Sequence, residues 1–241
     1  MKMGFKKAVE NQVKSERLKS ELITNVSHDM KTTLTSIINY VDLLKCEDIT
    51  REELMNYISI LDKKSQRLKV LIEDLFEASK LSSGNIEVNM EKIDVTSLLK
   101  QALGEANHKI EESNLIFKIN IPKEKMYSNL DGKRTWRVFD NLINNALKYS
   151  QPNTRVYIDL VGEDEKIIFT IKNISAYELD FNAEEIFERF KRGDSSRSTE
   201  GSGLGLAIAK SIVELEQGSI DINIDGDLFK VTVISKKVGE N

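Results

Sequence analysis

The chain has 241 residues, and at about 150 residues per domain two domains fit that length better than one. A net charge of −4 gives no basic surface for general nucleic-acid binding, and the single cysteine, Cys46, excludes an internal disulfide or a cysteine-rich metal cluster. No stretch reaches 18 apolar residues and the charged N-terminus lacks a signal-peptide core, so a soluble chain in a reducing compartment is expected.

No proline interrupts residues 5–83, and the apolar spacing there is helical. Leu22, Val26, Met30, Leu34, Ile37, Val41 and Leu44 step by three or four residues, and a second stripe follows: Leu54, Tyr57, Ile58, Leu61, Leu68, Leu71, Leu75 and Ala78. Between them, Thr50-Arg-Glu-Glu53 has the form of a capping box, with Ile49 and Leu54 placed as its hydrophobic staple. The second helix is expected to end near Ser83, at Gly84. Such a long helical hairpin exposes much of its apolar stripe when alone, so a homodimeric four-helix bundle is expected.

After Gly84 the rhythm changes. Strand-like runs cover residues 86–93, 115–121, 156–161, 167–171, 220–224 and 228–234, and helical patterns cover about 95–113, 132–149 and 204–217. An α/β domain with helices on one face of a sheet follows.

Three groups of residues carry chemistry. His28 sits about 200° around the helix from Val26 and Met30, so it faces water, with Thr32 on its face and Asp29 beside it. A histidine on a solvated helix face is most often inert. An exposed imidazole next to a carboxylate is nonetheless a nucleophile whose other ring nitrogen has a proton acceptor. Asn141, Asn145 and Lys148 form one stripe while Val138, Leu142 and Ala146 hold the apolar side, and amide oxygens beside an ammonium suit Mg²⁺ and the phosphates it bridges. Gly201-Ser-Gly203-Leu-Gly205 places three alternate glycines where a helix begins, a place that favours phosphate. It ends in neither the Gly-Lys-Ser/Thr of a P-loop nor a dinucleotide-binding order.

Four ordered signatures together resemble the catalytic core of a sensor histidine kinase of two-component signalling. Ser27-His28-Asp29-Met30-Lys31-Thr32-Thr33-Leu34-Thr35 resembles its phosphoacceptor box, Asn141–Tyr149 its asparagine box, Phe187-Glu-Arg-Phe190 its phenylalanine box and Gly201–Gly205 its second glycine box. The resemblance implies an N-terminal linker or end of a signalling helix over 1–14 and a dimerisation and histidine-phosphotransfer bundle over 15–83. Over 86–236 it implies a Bergerat-type α/β sandwich that binds ATP.

By the same resemblance, His28 attacks the ATP γ-phosphate with Asp29 as base, and Thr32 serves a reverse, phosphatase reaction. Asn145 holds Mg²⁺ with help from Asn141. Lys148, Tyr149, Arg192, Arg197, Gly201, Gly203, Leu204 and Gly205 complete the nucleotide site. The partner is the receiver domain of a response regulator, and the parent protein is anchored in the bacterial plasma membrane through segments outside this chain.

Two positions depart from the family pattern. Asn173 stands where an aspartate accepts from the adenine amino group, followed by Ser175 and Tyr177 in place of two glycines, and Thr33 stands in place of a proline. They leave open a second reading, a degenerate module that binds a regulator or a partner kinase without turning over ATP. A gyrase-type ATPase with a coiled-coil arm leaves the His28-Asp29-Thr32 stripe unexplained.

Overall fold

The computed structural model describes residues 26–46, 49–83, 87–179 and 203–239. The chain divides into two compact units, Met1–Asn85 and Ile86–Asn241.

The first unit contains helix α1 (26–44) and helix α2 (Arg51–Ser83). Threonine is a poor helix former. In α1 the hydroxyls of Thr32, Thr33 and Thr35 donate to the carbonyls of His28, Asp29 and Lys31 at 3.0, 2.8 and 2.8 Å, so none competes with the helix for another partner. Thr33, at the position of the family's proline, is buried. The capping box forms: the Thr50 amide donates to Glu53 Oε2 at 3.0 Å and the Glu53 amide donates to Thr50 Oγ1 at 3.2 Å, which starts α2. The Tyr40 and Tyr57 rings, 5.5 Å apart, pin the hairpin near its turn.

Val26, Leu71 and Ala78 are buried, whereas the stripe residues Leu34, Val41, Leu54 and Ile58 are exposed in the single chain, together with Ile38 and Met55. A single hairpin buries one seam and leaves the other side of each stripe in water.

In the second unit, strands β1 (Glu91–Asp94), β2 (Ile116–Asn120), β3 (Tyr127–Leu130), β4 (Arg155–Glu163), β5 (Lys166–Ile174), β6 (Ser219–Asp225) and β7 (Leu228–Val238) form one sheet. Its order is β1-β3-β7-β5-β4-β2, with β6 also paired to β7, and all pairs but β2–β4 are antiparallel. Helices α3 (Val95–Glu112), α4 (Gly132–Tyr149) and α5 (Gly205–Leu215) complete the unit.

Aspartates start two of these helices. Asp94 accepts from the amides of Thr96 and Ser97, and Asp131 accepts from that of Arg134. The core lies between Leu99, Phe139, Leu142, Ile143, Ile208 and Ile212 of the helices and the alternating strand residues Ile158, Leu160, Ile167, Phe169, Ile171 and Val231. The Phe139 and Phe169 rings meet at 5.0 Å, which seats α4 on β5.

The strand expected over 86–93 is shorter, beginning at Glu91, and β3 was not expected. Its sequence, Tyr-Ser-Asn-Leu, hides a two-residue period behind polar side chains. Pairing to both β1 and β7 holds it, and Ser128 Oγ donates to the Lys236 carbonyl at 2.7 Å.

Candidate functional site

On α1 the His28 side chain is 78% exposed, as the spacing requires. Its Nδ1 lies 3.7 Å from Asp29 Oδ1, a separation at which the carboxylate acts on the ring through charge rather than through a short hydrogen bond. Nδ1 therefore faces Asp29. Thr32, one turn on, is exposed beside the histidine, and its hydroxyl spans back to the His28 carbonyl.

In the second unit, α4 turns Val138, Phe139, Leu142, Ile143 and Ala146 into the core, which leaves Asn141, Asn145, Lys148 and Tyr149 along a half-buried stripe. The Asn141 Nδ2 is buried without a hydrogen-bond partner. Burying an amide donor unpaired costs about 1–3 kcal/mol. Asn144 is different. Its amide donates to Asp140, Lys109 of α3 donates to its Oδ1 at 3.0 Å, and it serves to join two helices. Burial raises the Asp140 carboxyl above the usual range, with Lys109 opposing the rise.

The glycine turn lies against the asparagine row. Gly203 has φ +71°, a left-handed conformation that suits glycine, and Leu204 is fully buried, anchoring the turn. A Cβ added to Gly205 would lie 3.4 Å from Asn141 Oδ1 and 3.5 Å from its Cγ, in ordinary van der Waals contact, so the turn packs directly on that amide. The N-cap residue Leu204 makes no side-chain cap bond, and the start of α5 is a positive end of a helix dipole. Gly203, Leu204 and Gly205 are thus brought to Asn141; Gly201, Arg192, Arg197 and Phe187–Phe190 lie outside the described residues.

Asn173 shares the helix-facing row of β5 with Ile167, Phe169 and Ile171 and is 5% exposed. The segment that follows has no glycine and is held by its own bonds. The Gln151 amide donates to the Ile174 carbonyl, the Ala176 amide to that of Tyr149 and the Ser175 amide to that of Asp227, each at 2.8 Å. Ser175 Oγ donates to the Tyr177 carbonyl and accepts from its amide. The Tyr149 and Tyr177 rings meet edge-on at 6.4 Å, and Lys148 Nζ donates to the Tyr149 hydroxyl at 2.9 Å. The ammonium expected to contact phosphate rests on its neighbouring ring.

One group escapes a reading of local spacing. Glu216, just past α5, is 7% exposed and accepts from the Asp131 amide at 3.0 Å and the Thr135 hydroxyl at 2.9 Å. An acidic residue closing an apolar helix was the available signal, but its partners lie 81 and 85 residues away in sequence. Among the described residues, no group of three or more His, Cys, Asp or Glu is arranged to hold a metal ion. Among them, too, no helix is long and apolar enough to cross a membrane.

Comparison with known proteins agrees with both units. The family model described as His Kinase A (phospho-acceptor) domain matches residues 18–84, and that described as histidine kinase-, DNA gyrase B- and HSP90-like ATPase matches residues 130–238. The sensor protein VanSC of Enterococcus gallinarum is 37% identical over 209 residues, covering 86% of this chain and 57% of that protein. The sensor protein kinase WalK of Staphylococcus aureus is 32% identical over 221 residues, covering 89% and 52%. The chain spans about half the length of these curated relatives.

Among solved structures, the Acinetobacter baumannii histidine kinase AdeS superposes with a TM-score of 0.68 at 18% identity, over 88% of this chain and 98% of that one. Histidine kinase ThkA, solved in complex with response regulator protein TrrA, superposes with a TM-score of 0.71 at 22% identity, over 96% and 66%. These two structures show a shared fold. With an ATPase-type sheet domain following a phospho-acceptor helical hairpin, the chain belongs to the sensor histidine kinases and carries their catalytic core.

Proposed function

We propose that the second unit binds ATP with Mg²⁺ at the row Asn141, Asn145, Lys148 and Tyr149, closed by Gly203–Gly205, and that His28 receives the γ-phosphoryl group. The observation that carries the nucleotide reading is the buried Asn141 amide, unpartnered among the described residues, lying against a glycine turn at the positive end of α5. The residues fit the ion: Asn145, with Asn141, offers amide oxygens of the hard kind Mg²⁺ takes. When bound, the ion would neutralise charge on the phosphate oxygens.

The rest falls to the chain's own residues. Asp29 faces Nδ1 of His28, so Nε2 is the free nucleophile. Its lone pair forms the new N–P bond as the bond from phosphorus to the β–γ bridging oxygen breaks, and ADP departs with that electron pair. Asp29 stabilises the positive ring and accepts its Nδ1 proton. Asn173 accepts from the base amino group as an uncharged acceptor, weaker than a carboxylate. Lys148 leaves the Tyr149 hydroxyl to meet phosphate, and Arg192, Arg197 and Gly201 complete the closure.

The phosphoryl group then passes to an aspartate of a response-regulator receiver domain. Thr32, exposed one turn from His28, is placed to orient water for the reverse hydrolysis. Two copies pair through residues 15–83, where Leu34, Ile38, Val41, Leu54, Met55 and Ile58 await cover. The wider protein places this core on the cytoplasmic side of a plasma membrane.

The glycine-free, internally bonded segment Ser175–Tyr177 favours the second reading, a regulator-binding module without turnover. Incubation with γ-labelled ATP and Mg²⁺, followed by a purified receiver domain, separates the two. Turnover gives an acid-labile, alkali-stable label that chases to the receiver and is lost in His28→Gln. Tight receiver binding with no label supports the module.

A further inference from the structure

A carboxylate in an apolar setting is costly unless its contacts compensate, and Glu216 lies among Val95, Leu130, Phe169 and Ile234 beside a cavity of about 20 Å³, room for one water molecule. Its Oε1 takes two donors from the first turn of α4, the Asp131 amide and the Thr135 hydroxyl. Asp131 is itself fixed, capping the Arg134 amide, pairing with Arg134 Nε at 3.2 Å and accepting from the Asn89 amide. The chain leaves Glu216 against β7: a Cβ on Gly218 would sit 2.7 Å from the Ile234 carbonyl, so this end of α5 has no room to drift.

The other end of α5 is the glycine turn. From Gly205 to Glu216 the helix advances about 16 Å, and from Asp131 to Asn141 α4 advances about 15 Å. The two helices therefore lie antiparallel and meet at two matched points, Glu216 on Asp131 and Thr135, and Gly205 on Asn141.

We infer that Glu216 is a positioning residue for the nucleotide site: by tying the C-terminal end of α5 to the first turn of α4, it keeps the glycine turn seated on Asn141. The inference rests on the nucleotide reading above and adds a residue that touches no part of the nucleotide. Burial pushes the Glu216 carboxyl up to about 7, with Thr135, the Asp131 amide and Arg134 drawing it down and the Asp131 carboxylate adding to the rise. The fold thus keeps an acid at a site where a leucine would avoid that penalty.

The test uses the whole chain with ATP and Mg²⁺ as the probe, at a temperature where circular dichroism shows each variant folded. Thr135→Val and Glu216→Leu each raise the Kd for ATP about tenfold, equivalent to ~1.4 kcal/mol. Glu216→Gln, whose amide oxygen still accepts both bonds, stays within about twofold of the parent on the same scale. Transfer from phosphorylated His28 to a receiver domain, which needs no ATP, keeps its rate in all three. Should Glu216→Leu fail to fold, the Thr135→Val and Glu216→Gln pair decides. Parent-like affinity in Thr135→Val, or Glu216→Gln as weak as Glu216→Leu or Thr135→Val, overturns the inference while leaving ATP binding intact. A parent chain that binds no ATP overturns both.

Discussion

Replacing Asn141 by leucine tests whether stability has been given up for nucleotide binding. The Asn141 Nδ2 is buried with no partner, while its Oδ1 lies toward Gly205. Leucine has a similar branched outline and no donor to leave unsatisfied. Removing the orphan donor recovers about 1–3 kcal/mol. For a domain of this size each kcal/mol moves Tm by roughly 2–4 °C, so Asn141→Leu melts roughly 2–12 °C above the parent without nucleotide. The parent gains about 2.7 kcal/mol when ATP is present at a hundred times its Kd, and the variant gains nothing. Differential scanning calorimetry with and without ATP and Mg²⁺ reads both numbers. A variant that melts lower than the parent, or that keeps the ATP-induced rise, refutes the claim that this amide is held ready for the nucleotide.

Two further outcomes follow from the same unit. The Glu216 carboxyl is raised from 4.5 to about 7, so between those values the folded state holds a proton that the unfolded state has released. Stability therefore falls as pH rises from about 4.5 to 7 and levels off above, by up to roughly 3 kcal/mol. The charged groups facing it are Asp131 and Arg134 of α4; α3, β5 and β7 present Val95, Phe169, Ile234 and Ser235. Thermal melts at pH 5 and pH 8 show this loss in the parent and not in Glu216→Gln, and an equal loss in both assigns it to other groups. Asn173→Asp places a charged acceptor where the proposed reading has the base amino group donate and strengthens ATP binding by up to about tenfold, since charge-assisted bonds are roughly twice as strong as neutral ones. Unchanged or weaker binding in calorimetric titration would show that the Ser175–Tyr177 segment has been rebuilt around another contact.

What could be read from the residues alone follows the range over which each signal acts. The helical patterns over about 95–113 and 132–149 were legible from local spacing, and the Asp94 and Asp131 caps that start α3 and α4 act over only two or three residues. The outward face of His28 and the Asn141, Asn145, Lys148 stripe were legible because helix periodicity fixes a direction without any knowledge of partners. β3 escaped because its burial depends on strands from both ends of the unit. The separate duty of Asn144 escaped because its partner Lys109 lies on another helix, and the same distance in sequence hid Glu216. Lys148 lies on the stripe that the spacing defines, and its ammonium donates to the neighbouring Tyr149 hydroxyl, a contact that spacing does not show.

The central claim is that an outward imidazole on α1 receives phosphate from a nucleotide held at the asparagine row. Mass-spectrometric mapping under alkaline conditions, after incubation with ATP and Mg²⁺, tests it most directly in the parent chain and in Asn145→Ala. The expected result is one phosphoryl group on His28 in the parent and none in the variant. Phosphate on Ser27 or Thr32 with none on His28, or equal occupancy of His28 in both chains, contradicts it.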